Sequence, residues 1–117
     1  LRVEGGRQLK RLAAKGRRSA YGVAFVGDGP HRDQLEQYTR DDGCVALLKP
    51  RAAIGDVLAA AGAAVVTSDQ EGFCLAGVEA LAAGLPVVCT PVGIVPELAE
   101  RNWPGVHVPT GTASLIR

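Results

Sequence analysis

Five short runs, each apolar on both of its faces, alternate along this chain with stretches of helical spacing. The runs are 20–26 (AYGVAFV), 44–48 (CVALL), 63–66 (AAVV), 86–89 (PVVC) and 105–108 (GVHV). A strand with one wet face alternates apolar and polar residues, whereas a strand apolar on both faces belongs in a parallel sheet covered by helices. Between the runs, the spacing predicts helices over 6–15, 30–39, 54–60, 73–83 and 95–100. Pro30 stands at a first helical position, and Gly16 and Gly84 stand where helices stop. Strand and helix taking turns in this way predict an α/β fold, a Rossmann-like three-layer parallel sheet with helices on both faces. In such folds ligands collect at the carboxyl ends of the strands. The two loops that stand out there are 27–30 (GDGP) and 67–74.

Size and charge narrow the partners. At 117 residues the chain is one domain at most, and alanine, valine and leucine fill most of its 47% hydrophobic share. A net charge of +1 gives no global argument for nucleic acid or membrane. The charge is uneven, since seven Lys and Arg residues lie within 1–18 against Glu4 alone. A solvated helix face is the plain reading of that segment, and a phosphate-binding or membrane-facing surface is the other. Cys44, Cys74 and Cys89 are odd in number and form no CxxC pair. They are expected as buried free thiols in a reducing compartment. His31 and His107 have no metal-ligand spacing, and no signal-peptide pattern or membrane-length apolar run is visible. The opening within a helical segment and the closing start at 114–117 (SLIR) suggest a piece of a longer protein.

The chemistry concentrates in 71–83. Glu79 is the single charged residue of the apolar helix 73–83. An unpaired carboxylate buried there would cost several kcal/mol, so it faces either solvent or a ligand cleft. Just upstream, Glu71 precedes Gly72, where a glycine lets a ligand approach the backbone. Amides around Phe73, Cys74 and Leu75 would then offer an anion site at the helix start. Carboxylates accept the paired hydrogen bonds that vicinal hydroxyls donate. A phosphate on the helix end with two hydroxyl-binding carboxylates describes a nucleotide sugar, although two glutamates at this spacing are common by chance.

The segments 71–75 (EGFCL) and 79–88 (EALAAGLPVV) together resemble the E-x7-E region of retaining GT-B glycosyltransferases, the glycosyltransferase 4 family (group 1), in their C-terminal donor-binding domain. Segments 25–30 (FVGDGP), 91–97 (PVGIVPE) and 105–109 (GVHVP) are similar to further segments of that family, in order, and Thr67-Ser68 stands where a Pro-Ser pair is usual. The resemblance spans roughly 20–110. It implies one nucleotide-sugar-binding domain over 1–117, without the acceptor domain. The longer parent would be a glycosyltransferase moving a sugar from a nucleotide diphosphate sugar to a glycan, lipid or small-molecule acceptor, and the isolated piece would be inactive.

Residue by residue, the resemblance implies that Glu79 binds the donor ribose and that Glu71 holds the transferred sugar, with a catalytic part sometimes ascribed to it. It further implies that Gly72, Phe73, Cys74 and Leu75 offer amides to sugar or diphosphate. Lys49, Pro50 and Arg51 would lie beside the base, and Gly27, Asp28 and Gly29 belong to the donor site. The resemblance implies that no cofactor or metal is required; no nucleic-acid partner is expected, and a cytoplasmic setting is expected because no export signal is visible. A lipid acceptor would put the basic segment against the inner membrane surface. Two positions depart from the family pattern: Cys74 and Ile94 stand where second glycines are usual. Cys74 would thus add a side chain near the sugar. Arg7 and Lys10 are not assigned to the site, because no apolar strand precedes them. The alternative is a non-catalytic nucleotide-binding or scaffolding module on the same fold; another enzyme of that fold, such as a nucleotide-sugar epimerase, is the third reading.

Overall fold

The computed structural model describes residues 22–50 and 53–109. The element order is β1 (Val23–Val26), α1 (Arg32–Thr39), β2 (Val45–Leu48), α2 (Ile54–Ala60), β3 (Ala64–Val66), α3 (Leu75–Ala82), β4 (Val87–Cys89), α4 (Val95–Glu100) and β5 (Val106–His107). Every strand pair is parallel, which is the α/β, Rossmann-like arrangement that the apolar runs predict. The ladders divide between two sheets, β1–β2 and β3–β4–β5. They belong to two compact units, Leu1–Ala60 and Ala61–Arg117, each described by itself below. The predicted helix over 6–15 lies outside the described residues.

In the first unit β1 and β2 run in register from Val23 beside Val45 to Val26 beside Leu48. The core is Ala46, Leu48 and Val57, with Ala24 packed against it. Burial on both faces, expected of all the strands, does not extend to β1, where Val23, Phe25 and Val26 are exposed, nor to β3 of the second unit, where Val65 is exposed. Helix α1 begins at Arg32 rather than at Pro30, because the chain first closes a turn in which the Arg32 amide donates to the Gly29 carbonyl.

The second unit winds β3–α3–β4–α4–β5, with β4 in the middle of the sheet. Val87 and Cys89 of β4 are buried there, along with Cys74, Ala80, Val92 and Val95. The helices end where their sequence says they should. After α3, Gly84 adopts φ 81°, and the Gly84 and Leu85 amides donate to the Leu81 and Ala80 carbonyls. This double bond satisfies the carbonyls a helix end leaves open. After α4 the same pattern recurs with Asn102 at φ 52°: the Asn102 and Trp103 amides donate to Ala99 and Leu98. Both closures turn the chain back toward the sheet within a few residues. They therefore fix where β4 and β5 begin, and so where the loops at the strands' carboxyl ends emerge.

Candidate functional site

Two loops of the second unit leave the carboxyl ends of neighbouring strands, residues 67–74 after β3 and residues 90–94 after β4. They are stitched together by bonds distant in sequence. The Thr90 amide donates to the Val66 carbonyl at 3.0 Å, and the Thr90 hydroxyl donates to the Ser68 carbonyl at 2.6 Å. Further along, the Ile94 amide donates to the Phe73 carbonyl at 3.2 Å. Gly93 fits beneath this crossing with no room to spare. Its φ is 56°, and a Cβ there would stand 2.4 Å from the Phe73 carbonyl carbon. Only glycine meets both conditions. Ile94, at the position where the family pattern has a second glycine, takes an ordinary helical backbone conformation with φ −80°.

On this platform Glu71 is held in place. The Ser68 hydroxyl donates to its Oε1 at 2.7 Å, and Glu71 is exposed. Glu71 and Gly72 line an open cleft of about 550 Å³ with Asp69, Gln70, Pro91 and Val92. The lining is acidic and amide-rich, suited to groups that donate hydrogen bonds. Of the residues the sequence singles out, the structure thus brings Glu71 and Gly72 into one cleft. Phe73, Cys74, Leu75 and Glu79 do not line it.

Cys74 is a buried free thiol, as the reading of the cysteines expects. It sits at φ 68°, a conformation unusual for any residue but glycine, immediately before α3. Its side chain turns inward and is 1% exposed. The Sγ lies 3.7 Å from Cys89 Sγ, and a Cβ on Gly77 would come within 3.1 Å of it. Cys89 is fully buried, and burial, helped by the neighbouring Cys74 thiol and by Glu71, pushes its thiol up to about 12. It is held as an uncharged thiol.

Helix α3 starts at Leu75, two residues later than the apolar pattern suggests, and no side chain caps it. Its first internal bond runs from the Val78 amide to the Cys74 carbonyl. The open amides are therefore those of Leu75, Ala76 and Gly77, two residues or about half a turn nearer the helix body than expected. Glu79 is exposed on α3, about one turn from its start. Among the described residues its carboxylate has neither a hydrogen-bond nor an ion-pair partner.

The first unit carries its own cleft, of about 470 Å³, at the carboxyl end of β1. Gly27, Asp28 and Gly29 line it together with Arg32 and the apolar Phe25, Leu35 and Tyr38. The loop is shaped locally: Asp28 Oδ1 accepts from the Gly29 amide at 2.9 Å, and Arg32 Nη1 donates to the Gly27 carbonyl at 2.9 Å. Arg32 also pairs with Glu36 at 3.0 Å. Lys49 and Pro50 are exposed just after β2, and Arg51 lies outside the described residues. Sequence reasoning missed Arg32, Thr90 and the part played by Ser68. Arg32 was findable from its i,i+4 spacing to Glu36, whereas the Thr90 bonds join residues 22 apart and left no local signal.

Among the described residues no group of three or more His, Cys, Asp or Glu is placed to hold a metal ion, and no helix is long and apolar enough to cross a membrane. The two units define an α/β chain of parallel βαβ windings that gathers polar loops at its strands' carboxyl ends. The family model "Glycosyl transferases group 1" matches residues 7–116, and the chain belongs to that family. It is 40% identical over 80 residues to the protein of Bacillus subtilis (strain 168) assigned to teichuronic acid biosynthesis as the glycosyltransferase TuaC, covering 68% of this chain and 20% of that one. It is 33% identical over 90 residues to the sulfoquinovosyl transferase SQD2 of Arabidopsis thaliana, covering 71% of this chain and 16% of that one. The chain thus spans a fifth or less of the length of these relatives. No solved structure matches it at a comparable level of significance.

Proposed function

We propose that this chain is the donor-binding, C-terminal region of a retaining GT-B glycosyltransferase, and that its parent moves a sugar from a nucleotide diphosphate sugar to a glycan, lipid or small-molecule acceptor. The observation that carries the proposal is the Glu71 carboxylate, oriented by Ser68 beside Gly72 in an open cleft. An exposed carboxylate held at one oxygen suits the adjacent hydroxyls of a sugar ring. Glu79, exposed on α3, would take the ribose hydroxyls. The open amides at the start of α3 would receive a phosphate, aided by the helix dipole. Phe73, Cys74 and Leu75 would act through their backbones. Lys49, Pro50 and Arg51 would serve the base, and Gly27, Asp28 and Gly29 would complete the nucleotide side. In this reading the leaving diphosphate is stabilised by amides and basic side chains with no metal, and the acceptor is held by a further domain.

Family membership supports the chemistry, and the relatives' names, both sugar transferases, agree with it. The test is ligand-observed NMR with UDP, GDP and ADP on the chain and on a Glu79→Gln variant. One nucleotide should bind selectively, on the order of 0.1–1 mM for a site with one wall, and the variant should weaken it. A folded sample that binds none of the three, or binds equally well without Glu79, would refute the donor reading and favour the non-catalytic module.

A further inference from the structure

The contact between Cys74 and Cys89 joins the loop that carries Glu71 to the middle strand of the second unit. Cys89 belongs to the middle strand, opposite Val66 in the β3–β4 ladder, and the next residue, Thr90, is bonded to both Val66 and Ser68. Cys74 belongs to the loop that carries Glu71, in a conformation cysteine seldom adopts. The two Sγ atoms lie 3.7 Å apart with nothing between them, and both side chains are buried. Cys44 belongs to the other unit, at the residue before β2. Gly77, a residue that weakens a helix interior, leaves the space that the Cys74 sulfur occupies.

We propose that Cys74 and Cys89 form an oxidation-sensitive latch beneath the Glu71 loop, closed by hydrogen peroxide or a hydroperoxide of similar size. The Cys74 sulfur, on the loop side of the contact, takes an oxygen atom as the peroxide O–O bond breaks, giving a sulfenic acid and water, since Cys89 is held as an uncharged thiol. The second thiol then attacks that sulfur, the S–S bond forms, the S–O bond breaks and a second water leaves. In sum, two thiols and one peroxide yield one disulfide and two waters, with two electrons passing from sulfur to peroxide. Bonding distance requires the sulfurs to close by roughly 1.6 Å, to about 2.05 Å. Cys89 is fixed in the sheet, so the closure falls on Cys74. Phe73, its neighbour, is held over Gly93 by the Ile94 amide, so drawing Cys74 toward Cys89 strains the seat of the loop 71–74. Reduction by a thiol releases the strain.

The test uses the chain with Cys44→Ser, treated with hydrogen peroxide, alkylated under denaturing conditions and digested for mass spectrometry. The expected product is a peptide pair joined through Cys74 and Cys89, with both thiols lost together and both restored by dithiothreitol. Amide exchange over 71–76 should quicken about threefold or more in the joined form, while β1 and β2 stay unchanged. A Cys89→Ala variant should show no peroxide effect on that exchange. Three results would each overturn the latch: both thiols surviving peroxide that oxidises Cys44 in the unsubstituted chain, sulfinic acid accumulating without a joined pair, or a joined pair with exchange over 71–76 unaltered. None of these readouts depends on nucleotide binding, so they stand or fall apart from the donor reading.

Discussion

The loops that follow β1 and β3 do the same job by opposite means. Each leaves the carboxyl end of a parallel strand, lines a cleft and leads into a helix. The loop after β1 is shaped from within: Asp28 bonds its neighbour's amide, and Arg32 reaches back five residues to the Gly27 carbonyl. The loop after β3 is shaped from outside, by Thr90, Gly93 and Ile94 of the next crossover. A locally shaped loop tolerates change in its neighbours, whereas a cross-stitched one inherits the constraints of another segment.

The comparison breaks most readily at Gly93. Replacing it with alanine should destabilise the second unit by about 3 kcal/mol or more, since both the positive φ and the Phe73 backbone oppose a Cβ. Chemical denaturation measures this, and a loss below 1 kcal/mol would mean that the loops are not interlocked. Next comes Val87→Ala in the middle strand beneath the stitched loops, expected to cost roughly 2 kcal/mol through lost burial and the cavity left behind. Thr90→Val removes the hydroxyl bond to Ser68 while keeping the shape, and should cost about 1 kcal/mol by the same assay. On the other side of the comparison, Gly29→Ala should change stability by less than about 0.5 kcal/mol, because nothing lies within 4 Å of the new methyl group. A loss as large as that of Gly93→Ala would show that the first loop is also constrained from outside.

A pH series sharpens the contrast from the second unit's interior. Folding raises the Cys89 thiol from its ordinary value of 9.0 to about 12, so the folded form holds that proton more tightly than the unfolded form. The resulting stabilisation is fully present below pH 9 and drains away as pH rises toward 12. Cys89→Ala lacks this dependence. The stability difference between the two proteins should therefore shrink across that window, and a constant difference would show that the thiol's environment is not as buried as its packing indicates.

The sequence was legible where structure is local. Helices α2 and α4 fall on their predicted bounds, because proline, glycine and apolar spacing act within a turn or two. The start of α3 was misplaced for a physical reason. Phe73 and Cys74 fit an apolar helix pattern, but the Phe73 carbonyl is taken by Ile94 and Cys74 has crossed to positive φ. Neither commitment can be read from residues 71–83 alone. The inward turn of Cys74 is hidden for the same reason, since its socket is made by Cys89, fifteen residues on. The carboxylates themselves were visible as residues, whereas Ser68 as the group that orients one of them was not.

The stitching of the Glu71 loop also bears on entropy. Fixing a residue's backbone costs about 1–2 kcal/mol at room temperature, so immobilising a loop of several residues at the moment of binding would consume much of a weak ligand's affinity. Here that ordering accompanies the folding of the second unit, because the bonds from Thr90 and Ile94 that restrain the loop extend the joining of β3 to β4. Whatever docks on Glu71 meets a surface whose disorder was removed during folding, and its binding should show little of the unfavourable entropy of a loop that orders around its guest.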